Sequence, residues 1–331
     1  MTFASRMTRA ALAAFLGGAL LLAGCTSEPE ASETDPGTAE PVKFTVGTLS
    51  TQDSLPLWVA ERDGYFADAG LPEVEIVTFQ SAQECQVALQ SGAVDALMTD
   101  LIVASNLQAT GTQVRLATVM LGATPAEGRF AIVAAPGSGI TSLDDLKGVP
   151  VGTASATITE YILDRLMEDA GIAGADVVKE EVKKMPVRFE LLMAGQLKAA
   201  VLPEPFVSLA ELGGATVIEG GDDTEASENV SQSVLAVSRE YVDTPGGAAS
   251  VTAVLEAWDA AVAAINADPD SFRTLLVEKA GLPAPLADIY KVSTYPVAVV
   301  PEADRIADVL DWMTVRGYLG GEATPEDMLA E

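Results

Sequence analysis

The sequence predicts an α/β protein of two Rossmann-like lobes joined by two crossover strands, and three observations carry that prediction. Short apolar runs alternate with helical stretches, the pattern of parallel sheets flanked by helices. The pattern occurs twice: Val46-Gly47-Thr48 recurs as Val151-Gly152-Thr153, Gly70-Leu71 as Gly171-Ile172, and Ser91-Gly92 as Ala194-Gly195. The offsets are 105, 101 and 103 residues, a near-constant spacing that a repeated unit explains. Two further β-like runs, Phe130–Ala134 and Ser233–Val237, read as the points where the chain leaves one lobe and returns.

Residues 1–24 stand outside the fold. Met1–Arg9 carries Arg6 and Arg9 and no acid, and Ala10–Ala23 is apolar or small throughout. Its 14 residues suit the apolar region of a secretory signal better than a bilayer span. It ends in Leu22-Ala23-Gly24-Cys25, which resembles the lipobox of bacterial lipoproteins and makes Cys25 the expected lipidation site. Residues 25–41 then form a tether: Thr26–Pro41 holds five acids, three prolines and no base, so it cannot bury a core. No other segment approaches 18 consecutive apolar residues. These features predict an extracytoplasmic protein held to the bacterial cell membrane by a lipid anchor.

The remaining chain divides into lobe one, residues 42–130 plus 236–331, and lobe two, residues 131–235. Lobe one uses strands near Phe44–Thr48, Val74–Phe79, Ala96–Thr99 and Val114–Val119; lobe two uses Pro150–Thr153, Val177–Val182, Ala199–Leu202 and Ala215–Ile218. The helix after the first strand runs through LPLWVAERDGYFADAGL to a terminal Gly70, where a left-handed residue closes it. Trp58, Tyr65 and Phe66 on that helix pack on the sheet. The C-terminal region is helical over Ala253–Ala267, Ser271–Lys279 and Ala303–Gly317 and covers lobe one; Ile306, Val309, Leu310 and Met313 fall at helical spacing.

Composition excludes several functions. Forty-eight acids against 19 bases give a formal charge of −29, which argues against nucleic-acid binding. There is no histidine, so histidine-dependent triads and metal sites are excluded. No cysteine cluster, acidic metal motif or phosphate-cradling glycine loop is present, so no cofactor is implied and the chain does not read as an enzyme. With Cys25 lipidated, Cys85 has no disulfide partner and reads as buried filler.

Four motifs carry a family resemblance. They are Pro56-Leu57-Trp58-Val59-Ala60 through Gly64-Tyr65-Phe66 to Gly70-Leu71; Ala88–Ala96 to Thr99-Asp100; Ser142–Gly148 to Val151-Gly152-Thr153; and Met193–Pro205. Over Val42 to Leu329 the chain resembles the type II periplasmic binding proteins that serve ABC importers for sulfonates, taurine, nitrate and the pyrimidine precursor of thiamine. Lys198 departs from the pattern, standing where an acid is common. The resemblance implies a monomer that captures a small molecule between its lobes and delivers it to an ABC permease. Signalling to a membrane receptor is the alternative. Enzymes of similar fold that make the thiamine pyrimidine consume a histidine of their own, and this chain has none.

In open parallel sheets, ligands bind beyond the carboxyl ends of the strands. In lobe one those loops supply Ser50, Thr51, Gln52 and Asp53, then Gln80 and Ser81, then Thr99 and Asp100. In lobe two they supply Thr153, Ser155 and Thr157, then Met185, then Glu204, which is expected opposite Asp100. Two roles fit Asp53 and Asp100: a wall of the cleft, or a cap on the next helix. Two acids without clustered bases lean toward a neutral or cationic ligand. The nearest cations are Arg115, Arg129 and Arg188, of which Arg129 has the reach to enter the cleft. Tyr161 and Phe206 follow cleft loops and are the candidates for stacking on a ring.

Overall fold

Strands covered by helices on both faces carry few charges, and the first strand of each half, FTVGTL and PVGT, carries none. The computed structural model describes residues 39–122, 127, 130–219 and 233–329. The signal-like segment, Cys25, most of the tether and Arg129 lie outside the described residues. The strands are β1 (Phe44–Leu49), β2 (Val74–Phe79), β3 (Ala96–Asp100), β4 (Val114–Leu121), β5 (Phe130–Ala134), β6 (Pro150–Thr153), β7 (Val178–Glu181), β8 (Ala199–Pro203), β9 (Thr216–Glu219) and β10 (Ser233–Ser238). The helices are α1 (Leu55–Asp63), α2 (Tyr65–Asp68), α3 (Ala82–Gln90), α4 (Leu101–Ala109), α5 (Ile158–Asp169), α6 (Met185–Met193), α7 (Phe206–Leu212), α8 (Arg239–Val242), α9 (Gly247–Ala267), α10 (Arg273–Lys279), α11 (Ala303–Arg316) and α12 (Pro325–Leu329).

Two five-stranded sheets result, ordered β2-β1-β3-β10-β4 and β7-β6-β8-β5-β9. The repeat is visible in that order: β1, β2, β3 and β4 of the first sheet stand where β6, β7, β8 and β9 stand in the second. Each sheet also receives one antiparallel strand from the crossing chain, β10 between β3 and β4 and β5 between β8 and β9. Edge strands β2 and β7 carry the charges: Lys43 bridges to Glu75 on β2 at 2.9 Å, and β7 reads Val-Lys-Glu-Glu.

Each crossing strand pairs in the sheet that it enters. Phe130 pairs with Pro203 in the second sheet, while Ser233, Val234 and Leu235 pair with Asp100, Thr99 and Met98 in the first. The crossing strands thus join the second sheet from Phe130 and the first from Ser233. The crossing strand pairs along its whole length with the sheet it enters. The first helix also differs from expectation. Gly64, at φ 83°, caps α1 after Asp63, and α2 is a separate short turn.

The C-terminal helices pack as expected on lobe one, with α9 against α1 and α2 and α11 against α4. They also reach lobe two. Trp312 Nε1 donates to Asp164 Oδ2 on α5 at 3.0 Å, Arg316 pairs with the same carboxylate, and the Tyr318 hydroxyl donates to Glu160 Oε1 at 2.9 Å. Lys179 meets Glu160 and Asp164 at 2.7 Å each, so both acids buried on α5 are neutralised. Tyr161 packs edge-on against Trp312, with centroids 5.3 Å apart, and Phe206 lies against Phe189 at 5.7 Å. Both rings are core residues, not the ligand-stacking ones that their place in the sequence suggested. Cys85 is buried filler, its thiol pushed up to about 12 by desolvation.

The repeated glycine has a packing reason. A Cβ at Gly47 would stand 3.1 Å from Phe79 Cε2 and 3.2 Å from Leu97 Cδ2; one at Gly152 would stand 2.6 Å from Leu197 Cδ1 and 3.3 Å from Ala200 Cβ. Both strands need a bare backbone where the neighbouring side chains close over them. Gly152→Val is therefore expected to destabilise the fold by about 1–3 kcal/mol through overpacking. Urea unfolding of the variant against the wild type checks it, and equal midpoints would refute the packing account.

Candidate functional site

The carboxyl ends of β1, β2 and β3 face those of β6, β7 and β8 across a cavity of about 580 Å³, its open mouth included. Thr51, Asp53, Gln80, Ser81, Thr99 and Asp100 line it from lobe one; Thr157 and Met185 line it from lobe two.

Asp100 does both things open to it. As N-cap of α4 its Oδ1 accepts the Val103 amide at 2.8 Å. Its Oδ2 accepts the amide of Ile158, the first residue of α5, at 3.0 Å, so one carboxylate joins helices of opposite lobes. Desolvation pushes its carboxyl up to about 6, against the pull of three backbone amides and with repulsion from Asp53 adding to the rise. Asp53 is also buried; Thr51 Oγ1 donates to its Oδ1 at 2.5 Å and Ser233 Oγ to its Oδ2 at 2.6 Å. Burial raises this carboxyl too, against those two hydroxyls.

Other contacts close the lobes on each other. The Met185 amide donates to Gln80 O at 3.2 Å, Lys184 Nζ reaches Gln80 Oε1 at 3.2 Å and Glu84 at 3.0 Å, and the Gln52 amide donates to Glu204 O at 3.3 Å. Ser81 caps α3 by accepting the Glu84 amide at 3.3 Å. The Thr157 hydroxyl donates to Ala154 O at 2.7 Å.

Five of the expected residues stand off the cavity wall. Gln52 is held behind it: its Oε1 accepts Tyr290 at 2.6 Å and its backbone oxygen accepts Tyr295 at 2.7 Å. Glu204 turns from the cleft into α7, where it accepts the Ser208 amide at 3.1 Å and hydroxyl at 2.9 Å. It does not face Asp100 across the cavity, because the first turn of α7 offers a nearer donor. Ser155 binds Glu181 through its amide and hydroxyl, at 2.9 and 2.7 Å, and Thr153 donates to Thr159 at 3.0 Å. Ser50 is half-buried outside the lining.

Ser233 and Phe130 line the cavity as well and are not among the expected residues. They lie on β10 and β5, which run antiparallel and present their amino ends to the cleft, away from the carboxyl strand ends where ligands are expected. Arg188 is buried in the wall, donating through Nε and Nη2 to Val182 O (3.0 and 2.7 Å) and through Nη1 to Val201 O (3.0 Å). Desolvation pushes its guanidinium down to about 10. Gln83 also lines the cavity, and its Oε1, like Thr99 Oγ1, is buried without a protein partner.

Two facing α/β lobes with a polar-edged cavity between their strand ends define a solute-binding protein of the periplasmic binding protein fold. The chain belongs to the family described as NMT1/THI5 like, whose model matches residues 51–271. It is 26% identical over 240 residues, 71% of this chain and 72% of the relative, to the putative aliphatic sulfonates-binding protein of Escherichia coli (strain K12). The crystal structure of the periplasmic aliphatic sulphonate binding protein of Escherichia coli matches with a TM-score of 0.71 at 21% identity, covering 88% of this chain and 93% of that one. The alkanesulfonate-binding protein of Xanthomonas axonopodis pv. citri, bound to MOPS, matches with a TM-score of 0.70 at 20% identity, covering 85% and 95%.

Asp100 makes stability depend on pH. An unfolded aspartate releases its proton near 4, while Asp100 in the fold holds its proton to about 6. Between these values the folded state binds more protons, so the contribution of Asp100 to stability falls as pH rises through that window and is level above it. Relative to the wild type, Asp100→Asn is expected to gain up to about 3 kcal/mol between pH 4 and pH 6.5. Denaturant titrations at several pH values measure it. A constant offset reports the altered amide bonds; a pH-independent difference would refute the raised carboxyl.

Proposed function

We propose that this protein is the lipid-anchored, extracytoplasmic capture component of an ABC importer, that it takes a small organic molecule into the cavity between its lobes, and that it does so as a monomer without catalysing a reaction. The observation that carries the reading is the cavity itself. It lies at the strand ends of both lobes, and buried polar atoms on its wall have no protein partner. The relatives named for sulfonate binding support a solute of that size class. Residues 1–24 would be the signal, Cys25 the lipid attachment and residues 25–41 the stalk, as their composition indicates.

Capture by closure needs a ligand that binds the closed arrangement better than the open one. A ligand at about 100 times its dissociation constant adds about 2.7 kcal/mol to native stability, a rise of a few degrees in Tm. Thermal unfolding of the purified protein against thiamine pyrimidine precursors, riboflavin, taurine, aliphatic sulfonates, nitrate and amino acids is expected to show such a rise with one chemical class. Flat Tm across the panel, with no co-purified small molecule by native mass spectrometry, would count against capture.

A further inference from the structure

We infer that the cleft selects organic cations bearing N–H donors, as a protonated amine or an amidine does, and that Asp100 excludes oxyanions by occupying the amides on which one would dock. The inference rests on the capture reading and names the ligand class of that same cavity.

The free amides at a helix N-terminus, with the positive end of the helix dipole, are the natural seat for an oxyanion. Here α4 and α5 point their first turns at each other from opposite lobes, and the Asp100 carboxylate already sits between them, bonded to Val103 N and Ile158 N. The Thr157 hydroxyl, a further donor at the start of α5, is turned to Ala154 O. An incoming sulfonate or nitrate would meet a carboxylate where it needed a donor.

Most of the accessible wall is apolar, and acceptors stand among its few polar groups. Asp53 supplies a second buried carboxylate, whose side-chain partners are the neutral hydroxyls of Thr51 and Ser233. Among the described residues, neither Asp53 nor Asp100 has an ion-pair partner. Gln83 Oε1 is an acceptor with no donor, and Thr99 Oγ1, on a residue 5% exposed, has no partner. The cations on the wall do not offset this. Arg188 gives its guanidinium to two carbonyls within lobe two, and the Lys183 side chain is 55% exposed, 3.9 Å from Glu181. Two buried carboxylates without an ion-pair partner and two unpartnered oxygens are complementary to a charged group that donates several hydrogen bonds.

A cation bound there also favours the ionised form of Asp100, whose carboxyl stands at about 6 in the absence of ligand. Affinity for a permanently protonated amine should therefore fall as pH drops, by about tenfold at one pH unit below that value.

The test is calorimetric titration and thermal unfolding of the purified protein with benzamidine and propylamine against propane-1-sulfonate and nitrate, at matched ionic strength. Benzamidine or propylamine should bind and raise Tm at pH 7.5, about tenfold more weakly at pH 5, while the anions leave Tm unchanged. In Asp100→Ser the amines should lose at least tenfold in affinity and propane-1-sulfonate should begin to bind. Binding of propane-1-sulfonate or nitrate by the wild type, Asp100 being present, overturns the selection and leaves capture standing. Binding of neither set overturns the selection as well; capture then falls only if the wider panel and native mass spectrometry are also blank. Should Asp100→Ser fail to fold, the wild-type comparison and its pH dependence decide alone.

Discussion

The Asp100 carboxylate accepts one backbone amide from each of two helices that belong to opposite lobes, α4 behind it and α5 across the cleft. Without that bridge the first turns of both helices would face each other with unsatisfied N–H groups and like-signed dipole ends. One carboxylate answers both. Around it the remaining contacts fall into place: Gln80 with Met185 and Lys184 on one side, Gln52 with Glu204 on another. On the far side of α5, Glu160 and Asp164 are held by the C-terminal Trp312, Arg316 and Tyr318. The α5 helix is thus fixed at its start by lobe one's Asp100 and along its flank by the C-terminal helix.

The fold was legible because its central strands are buried on both faces. β1, β3, β6 and β8 read as short apolar runs, glycine follows the helices that precede β3 and β8, and the spacing between halves repeats. The repeated Val-Gly-Thr has a physical basis, since Gly47 and Gly152 both lie under side chains that leave no room for a Cβ. Legibility ended where a local signal had two structural outcomes. Gly64 and Gly70 can each end a helix, and both adopt positive φ, so the predicted helix is broken at the first of them. The span of each crossing strand was visible; its pairing partner was not.

The site was legible in its loops and only partly in its side chains. Asp53, Asp100, Thr51, Thr99 and Gln80 reach the cavity, whereas Glu204 and Ser155, equally polar and on equivalent loops, do not. The difference is the nearest competing partner. Glu204 finds the Ser208 amide four residues on, and Ser155 finds Glu181, which arrives from a strand 26 residues away. Only tertiary structure brings the second of these into reach. Arg188 shows the converse. A cation beside a binding cavity suggests an anion partner by composition, but this guanidinium is committed to the carbonyls of Val182 and Val201 and ties β8 to the segment before α6.

The cost of burying Asp100 gives the two lobes a reason to respond to ligand. Its carboxylate is desolvated where the lobes meet, and Asp53 repels it from the same cavity. Separating the lobes would return water to both acids and relieve the penalty, at the loss of one amide bond from α5. The closed arrangement therefore carries an electrostatic debit that the open one lacks. A ligand can shift the balance only by its differential affinity for the two states. A group that compensates the two carboxylates acts on that debit directly, since its charge interacts strongly only after water has been excluded. A neutral molecule of the same shape would gain contacts but leave the repulsion in place. Closure and selectivity then have one physical origin, the pair of buried acids at the strand ends of lobe one.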